Sequence, residues 1–335
     1  MIEATPRDVL GRPLRDLRLS VIEACNFRCP YCMPADKVDD AYGLDAASRL
    51  SFDEIETLVR GFVRLGVRKL RLTGGEPLLR KRLPELVRRL AVIDGIEDLA
   101  LTTNGSLLAT QAQALRDAGL RRVTISLDTL DPDLFRGLSG GRGELADVLA
   151  GIAAAKAAGF APVKLNCVLQ RGVNDSGILE LAAFAREHGH VLRFIEYMDV
   201  GNCNGWSLER VVPSLQVRDR IHARWPLQSL DPNYRGEVAS RHAYADGAGE
   251  VGFVSSVSAP FCGECHRARV SADGKLYTCL FAGSGHPLRP LLARGDDALA
   301  QYVAGLWQQR ADRYSEIRSD AGASRRHVEM FLVGG

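Results

Sequence analysis

Ser51 to Pro77, SFDEIETLVRGFVRLGVRKLRLTGGEP, holds one complete helix, one glycine, one strand and one polar loop in that order. Ser51 with Glu54 forms a capping box, and Ile55, Leu58, Val59, Phe62, Val63 and Leu65 fall on one helical face. Gly66 follows, where a helix ends cheaply at positive φ because glycine has no Cβ. The strand Val67 to Leu72 then runs into Thr73-Gly74-Gly75-Glu76-Pro77. The same unit recurs outward from this stretch. Gly95 precedes Ile96 to Leu101, Gly119 precedes Val123 to Leu127, Gly159 precedes Val163 to Leu169, and Gly189 precedes Val191 to Tyr197. With an opening strand Leu17 to Ile22, six strands alternate with helices, which predicts α/β class and a parallel sheet covered by helices.

A partial (β/α)6 barrel of TIM type is preferred to an open doubly wound sheet, because the polar residues gather in the loops after the strand C-termini. Those loops contain Glu23 to Cys32, Gly74 to Pro77, Thr102 to Gly105, Ser126 to Asp128, Gln170 to Asp175 and Met198 to Gly201. Past Gly205 the periodicity fails around Pro213, Pro226, Pro232 and Pro260, and a late helix is expected near Ala298 to Arg310. The expected division is residues 1–205 as the barrel and 206–335 as a smaller C-terminal iron-sulfur unit.

The chain has 335 residues, 46% hydrophobic and 25% charged, enough for a full core plus a smaller unit. A net charge of +2 argues against bulk nucleic-acid binding, so an anionic partner would have to be met by local clusters of arginine and lysine. Met1 to Asp8 lacks an apolar leader core and no stretch suits a membrane span, so a reducing cytoplasmic setting is expected, with no membrane partner.

Cys25, Cys29 and Cys32 are spaced C-x3-C-x2-C and offer three thiolates without a fourth. A four-iron, four-sulfur cluster held this way keeps one iron open for chemistry. Zinc or disulfides are the competing readings; structural zinc usually closes with four ligands, and disulfide frameworks belong to short secreted chains. Cys262, Cys265 and Cys279 form a second set of three, implying a second cluster, with a zinc ribbon recruiting His266 or His286 as the alternative. Cys167 reads as a small buried hydrophobe. Cys203 reads as a loop residue without a cluster role, although its strand-end loop would let it approach one.

A cysteine loop of this spacing after the first strand of a βα barrel, with Tyr31 before its last cysteine, resembles the radical S-adenosylmethionine (SAM) enzymes. The resemblance implies that SAM chelates the open iron and is cleaved to a 5′-deoxyadenosyl radical. It makes Gly74, Gly75, Glu76 and Pro77 the segment meeting SAM's amino group, and Tyr31 the aromatic beside the adenine. Arg18, Lys69, Arg71, Lys164, Arg193, Arg267 and Arg269 are at least seven cations expected to point toward the barrel mouth, several of them within strands, where charge is costly unless paired. A polyphosphate would offset that cost.

Together with Thr102 to Gly105, Arg193-Phe194-Ile195-Glu196 and the terminal Gly334-Gly335, these stretches resemble the GTP 3′,8-cyclases of molybdenum cofactor biosynthesis, the MoaA family. That likeness implies two 4Fe-4S clusters, on Cys25, Cys29 and Cys32 and on Cys262, Cys265 and Cys279. It implies a SAM site at Tyr31, Gly74, Gly75, Glu76, Ser126 and Met198. GTP would lie on Arg18, Lys69, Arg71, Thr102, Lys164, Arg193, Arg267 and Arg269, with Arg18, Arg267 and Arg269 as the candidate catalytic residues and the Gly-Gly tail threading inward. The implied reaction removes hydrogen from C3′ of the GTP ribose and joins C3′ to C8 of guanine. Ile22-Glu23-Ala24 departs from the family's usual Thr-Asp, which touches only local loop packing. An external electron donor, transfer of product to cyclic pyranopterin monophosphate synthase, and a homodimer follow from the family likeness alone. A peptide-modifying radical SAM enzyme with an auxiliary cluster is the alternative enzyme, and a non-catalytic zinc or iron-sulfur module the alternative class.

Overall fold

The computed structural model describes residues 5–38, 43–318 and 327–334; Met1 to Ala4 and Gly335, both used above, lie outside them. The first strand, β1 (Asp16–Ser20), is followed by the cysteine loop and then by α1 (Phe52–Arg64), whose capping box on Ser51 and Glu54 is formed. The alternation continues through β2 (Lys69–Thr73), α2 (Leu83–Ala91), β3 (Asp98–Thr103), α3 (Ala112–Asp117) and β4 (Arg122–Ser126). Two helices, α4 (Pro132–Leu138) and α5 (Leu145–Ala157), then lead to β5 (Lys164–Leu169), α6 (Ile178–His188) and β6 (Val191–Glu196). Gly66, Gly95, Gly119, Gly159 and Gly189 all have φ between 70° and 101°, the left-handed region expected of helix-ending glycines.

β1 to β6 are consecutive parallel neighbours, as the helix and strand alternation demands. The outer faces of these strands are buried by the helices: Leu17, Leu19, Leu70, Leu72, Leu99, Leu101, Val123, Ile125 and Leu165 are at most 1% exposed. Alternation therefore sends the polar set, including Asp16, Arg18, Lys69, Arg71, Arg122, Thr124, Lys164 and Asn166, to the other face.

The later chain, which lacks the repeating period, adds to the same sheet. After α7 (Ser214–Arg224), β7 (Leu227–Leu230) and β8 (Ser240–Tyr244) pair antiparallel, and β9 (Glu250–Val254) joins β8 to β6, running parallel to β6. At the other edge β10 (Arg267–Val270) lies parallel to β1, with β11 (Lys275–Tyr277) and β12 (His286–Pro287) beyond it. The result is one sheet of 12 strands among the described residues. α8 (Arg289–Leu292) leads into α9 (Asp296–Gln308), which covers α1; a Cβ on Gly61 would press on Leu299, so the glycine sets that close approach. The chain closes on α10 (Met330–Val333).

The cations do not all gather at the mouth, as expected from the sequence. Lys69, Arg122, Lys164 and Arg267 are the first residues of their strands, so they stand at the end of the barrel opposite the cysteine loop. Side chains alternate along a strand, and the inward positions start at its first residue here.

Candidate active site

Both cysteine sets and the cation cluster border one cavity of about 320 Å³ inside the sheet. Its upper wall carries Cys25, Cys29, Cys32, Tyr31, Gly74, Gly75, Ser126 and Met198; its lower part carries Arg18, Lys69, Arg71, Thr102, Arg193, Arg267, Arg269, Cys262, Cys265 and Cys279. Pairing explains the meeting of distant residues. Arg18 is in register with Arg71 on one side and with Arg269 on the other, and Asp16 with Lys69 and Arg267.

The first cysteine loop is held by its own backbone, Cys32 and Met33 donating to the Cys29 carbonyl at 3.0 and 2.9 Å. Burial pushes the Cys25 thiol up to about 11, with Glu76 adding to it, and burial with the neighbouring cysteines raises Cys29 and Cys32 further. Such thiols hold charge only beside a strong positive partner, which bound irons would supply. A four-iron cluster takes one thiolate per iron, and a set of three thiolates would leave its fourth iron open.

Gly74 and Gly75 follow β2 against the cysteine loop. Gly75 N–H donates to the Ile22 carbonyl and Glu76 N–H to the Ala24 carbonyl, each at 2.8 Å. A Cβ on Gly74 would collide with the Ile22 carbonyl oxygen and one on Gly75 with that of Ala24. The departing triplet Ile22-Glu23-Ala24 thus serves this contact through its backbone, while the Glu23 carboxylate is taken by Arg49 at 2.6 Å.

Glu76 is a buried member of this segment. Expected to meet the cofactor, it is fully buried and contributes no surface to the cavity. Its carboxylate accepts from Leu78 N–H, the Thr103 hydroxyl and Asn104 N–H at 2.7 to 2.9 Å, and burial raises its pKa to about 7. It braces the two loops after β2 and β3. Lys164 stands near Arg193, Arg122 and Lys69 at the first position of its strand. Burial first, then those cations, pull its pKa down to about 7. Cys203, read as a strand-end loop residue able to approach a cluster but without a role in one, packs with Cys25 and Cys32 around Met33, Val38 and Phe331, and its thiol faces the Glu329 carboxylate at 3.0 Å. Cys167 is fully buried.

The cations are under-neutralised. Burial lowers the Arg18 pKa well below its ordinary value, and Arg269, Arg71 and Arg267 lower it further. The buried Nε atoms of Arg18 and Arg71 have no hydrogen-bond partner among the described residues. Arg71 Nη1 donates to Thr102 at 3.0 Å, Lys69 to the Tyr234 hydroxyl at 2.7 Å, and Arg193 to Glu237 at 3.3 Å. Arg269 donates to the Val333 carbonyl at 3.2 Å and to that of Gly334, and a Cβ on Gly334 would collide with Thr73. The tail therefore enters the wall of the cavity itself.

Sequence reasoning missed several residues of this site. Arg122 was open to the same alternation that paired Lys69 with Arg71. Asp128, which accepts from Tyr31 Oη at 2.7 Å, sat in a recognised strand-end loop. Tyr234 and Glu237 lie in a segment without period, and nothing local signals that they face the cations.

Three free cysteines after the first strand of a partial βα barrel, opening on a cavity, define the radical SAM class. The sequence pattern of the Radical SAM superfamily matches residues 19–185, and that of Molybdenum Cofactor Synthesis C matches residues 190–316. The chain is 69% identical to the GTP 3',8-cyclase of Xanthomonas campestris pv. campestris (strain 8004), over 100% of this chain and 99% of that one. It is 53% identical to the GTP 3',8-cyclase of Acidothermus cellulolyticus, over 98% and 99%. The chain belongs to the GTP 3',8-cyclase family. The crystal structure of Streptococcus suis SuiB bound to precursor peptide SuiA shares the fold at TM-score 0.62 and 15% identity, covering 91% of this chain and 67% of that one.

Proposed function

We propose that the protein is a radical SAM enzyme converting GTP to 3′,8-cyclo-7,8-dihydro-GTP, the first step of molybdenum cofactor biosynthesis. The observation that carries this reading is the single cavity with three cysteines on each side and a cluster of under-neutralised cations between them. In this reading Cys25, Cys29 and Cys32 hold one 4Fe-4S cluster and Cys262, Cys265 and Cys279 another. The first, when bound with SAM, supplies a 5′-deoxyadenosyl radical. Tyr31, Gly74, Gly75, Ser126 and Met198 seat SAM, the glycines by admitting it close to the backbone.

Arg18, Lys69, Arg71, Arg193, Arg267 and Arg269 take the triphosphate and guanine, the arginines by forked hydrogen bonds and the lysine as a point charge. Thr102 fixes the Arg71 guanidinium. The residues thereby orient C3′ toward the SAM side, and the buried walls keep water and oxygen from the reacting carbon. Eight cysteines, none in a disulfide, suit a reducing cytosol and an external electron donor.

The test is to incubate anaerobically reconstituted, dithionite-reduced protein with SAM and GTP and follow both products by mass spectrometry. Formation of 5′-deoxyadenosine and a GTP isomer of unchanged mass is expected, with both lost in Cys29→Ala. Deoxyadenosine without nucleotide conversion would retain the radical chemistry and reject GTP as substrate.

A further inference from the structure

Between β7 and β8 the chain runs through Asp231-Pro232-Asn233-Tyr234-Arg235-Gly236-Glu237-Val238, passing the end of the cavity where Lys69 stands. Residues 231–235 are exposed, the Glu237 side chain is only 3% exposed, and Tyr234, Glu237 and Val238 line the cavity. Glu237 folds the turn. Its Oε2 accepts from Asn233 N–H at 2.7 Å and from Asn233 Nδ2 at 3.0 Å, and its own N–H donates to the Tyr234 carbonyl at 3.1 Å. Its Oε1 accepts from Arg193 Nη2 at 3.3 Å. The Tyr234 hydroxyl accepts from Lys69 Nζ at 2.7 Å, and that ammonium lies 4.7 Å from the centroid of the ring. Among the described residues, the hydrogen bonds from residues 232–238 to the rest of the chain are these two and one from Arg235 to Glu264 at 3.2 Å. The Arg235 side chain is 88% exposed, and a surface pair of that kind holds little. Gly236, at φ 83°, packs against His266 and the Glu264 carbonyl with no room for a Cβ.

The segment is therefore fastened mainly to two of the cations assigned to the triphosphate. Lys69 also has Asp16 and Asp98 at 4.0 and 3.9 Å, but Glu237 is the one carboxylate within ion-pair distance of Arg193 among the described residues. Glu250, the other acid whose charge reaches Arg193, is paired with Arg241. A single contact of 3.3 Å is long for a charged pair, whereas a phosphate oxygen takes a guanidinium N–H at about 2.7–2.9 Å. A carboxylate left beside that phosphate repels it. We infer that Glu237 is a built-in counter-anion of the cation cluster: a polyphosphate displaces it from Arg193 while taking Lys69 from Tyr234, so segment 231–238 is the gate of the nucleotide's end of the cavity. This rests on the reading of Lys69 and Arg193 as phosphate-binding residues. The turn that Glu237 folds through Oε2 is not broken by the exchange, so the segment moves as one piece.

Two probes are titrated into the full-length, anaerobically reconstituted protein: inorganic tripolyphosphate, which reports the cations alone, and GTP. Calorimetry at fixed salt is expected to show Glu237→Gln binding each probe roughly threefold to tenfold tighter than the unaltered protein, the size of one like charge removed across a partly screened gap. Limited trypsin digestion of the unaltered protein supplies a readout that needs no variant. Saturating ligand is expected to speed cleavage after Arg235 about threefold or more, while cleavage elsewhere slows because binding stabilises the folded state. Unchanged or weaker binding in Glu237→Gln would overturn the inference and make Glu237 a residue that orients Arg193. Unchanged or slower cleavage after Arg235 in the ligated protein would overturn it as well, and decides alone if the variant does not fold. Tripolyphosphate bound and GTP refused would reject the nucleotide reading and leave the inference standing; refusal of both would remove the cations as a phosphate site and the inference with them.

Discussion

Lys164 shows how burial among like charges sets the protonation of a single residue. Its pKa falls to about 7, through burial first and then through Arg193 and Arg122, so at pH 8 the neutral form predominates. The unfolded chain would carry the proton up to its ordinary value of 10.5. Between those values the unfolded state binds more protons, so this residue's contribution makes stability rise with pH across that window. In the proposed function, a triphosphate held on Arg193 and Lys69 would reverse the local field and restore the lysine's charge. GTP binding at pH 8 is therefore expected to take up a proton, with up to about one per site. Calorimetry in two buffers of different ionisation enthalpy measures it, and Lys164→Met should lose the difference. Equal enthalpies for the unaltered protein would remove Lys164 from the nucleotide's surroundings. Lysine and arginine on inward strand positions were legible in the sequence, because alternation is strict. Their height in the barrel was not, since a strand's first residue can only be known once its partners set the register.

At the level of elements, the turn after β2 fits the cysteine loop with no room for a Cβ. Gly75 lies under the Ala24 and Glu23 carbonyls, and its N–H is already spent on Ile22. Adding one methyl forces the cysteine loop and the turn apart, an overpacking cost of about 1–3 kcal/mol. Gly75→Ala is expected to lower the thermal midpoint and weaken SAM binding, both measurable on anaerobic protein; an unchanged midpoint would mean that the loops separate freely. The helix, glycine and strand units were readable because each is specified within about twenty residues by capping, face and breaker. The bonding of the Glu76 side chain was hidden for the opposite reason. A carboxylate beside glycines suggests a ligand contact, but the donors from Thr103 and Asn104 that occupy it belong to the next loop.

The whole molecule is held together at the edges of its six-stranded core. β1 lies between β2 and β10, and β6 between β5 and β9, so both edges are covered by strands from the last third of the chain. Without those strands the core would expose two rows of unpaired backbone groups, a template for aggregation. A chain ending at Gly205 is expected to lack a cooperative thermal transition and to elute as aggregate, as read by circular dichroism and size-exclusion chromatography. A folded monomer would contradict this. Nothing in the period of the later sequence announced these pairings, because strands 59 residues apart at one edge (Leu192 and Val251) and 251 apart at the other (Asp16 and Arg267) share no local signal. The pairing of Asp16 with Arg267 also has a consequence for biosynthesis. At about 5–20 residues per second, the first strand waits tens of seconds on the ribosome for its neighbour. The newborn barrel thus cannot cover the outer edge of β1 until translation is nearly finished, and its interior stays open to the cell for most of synthesis.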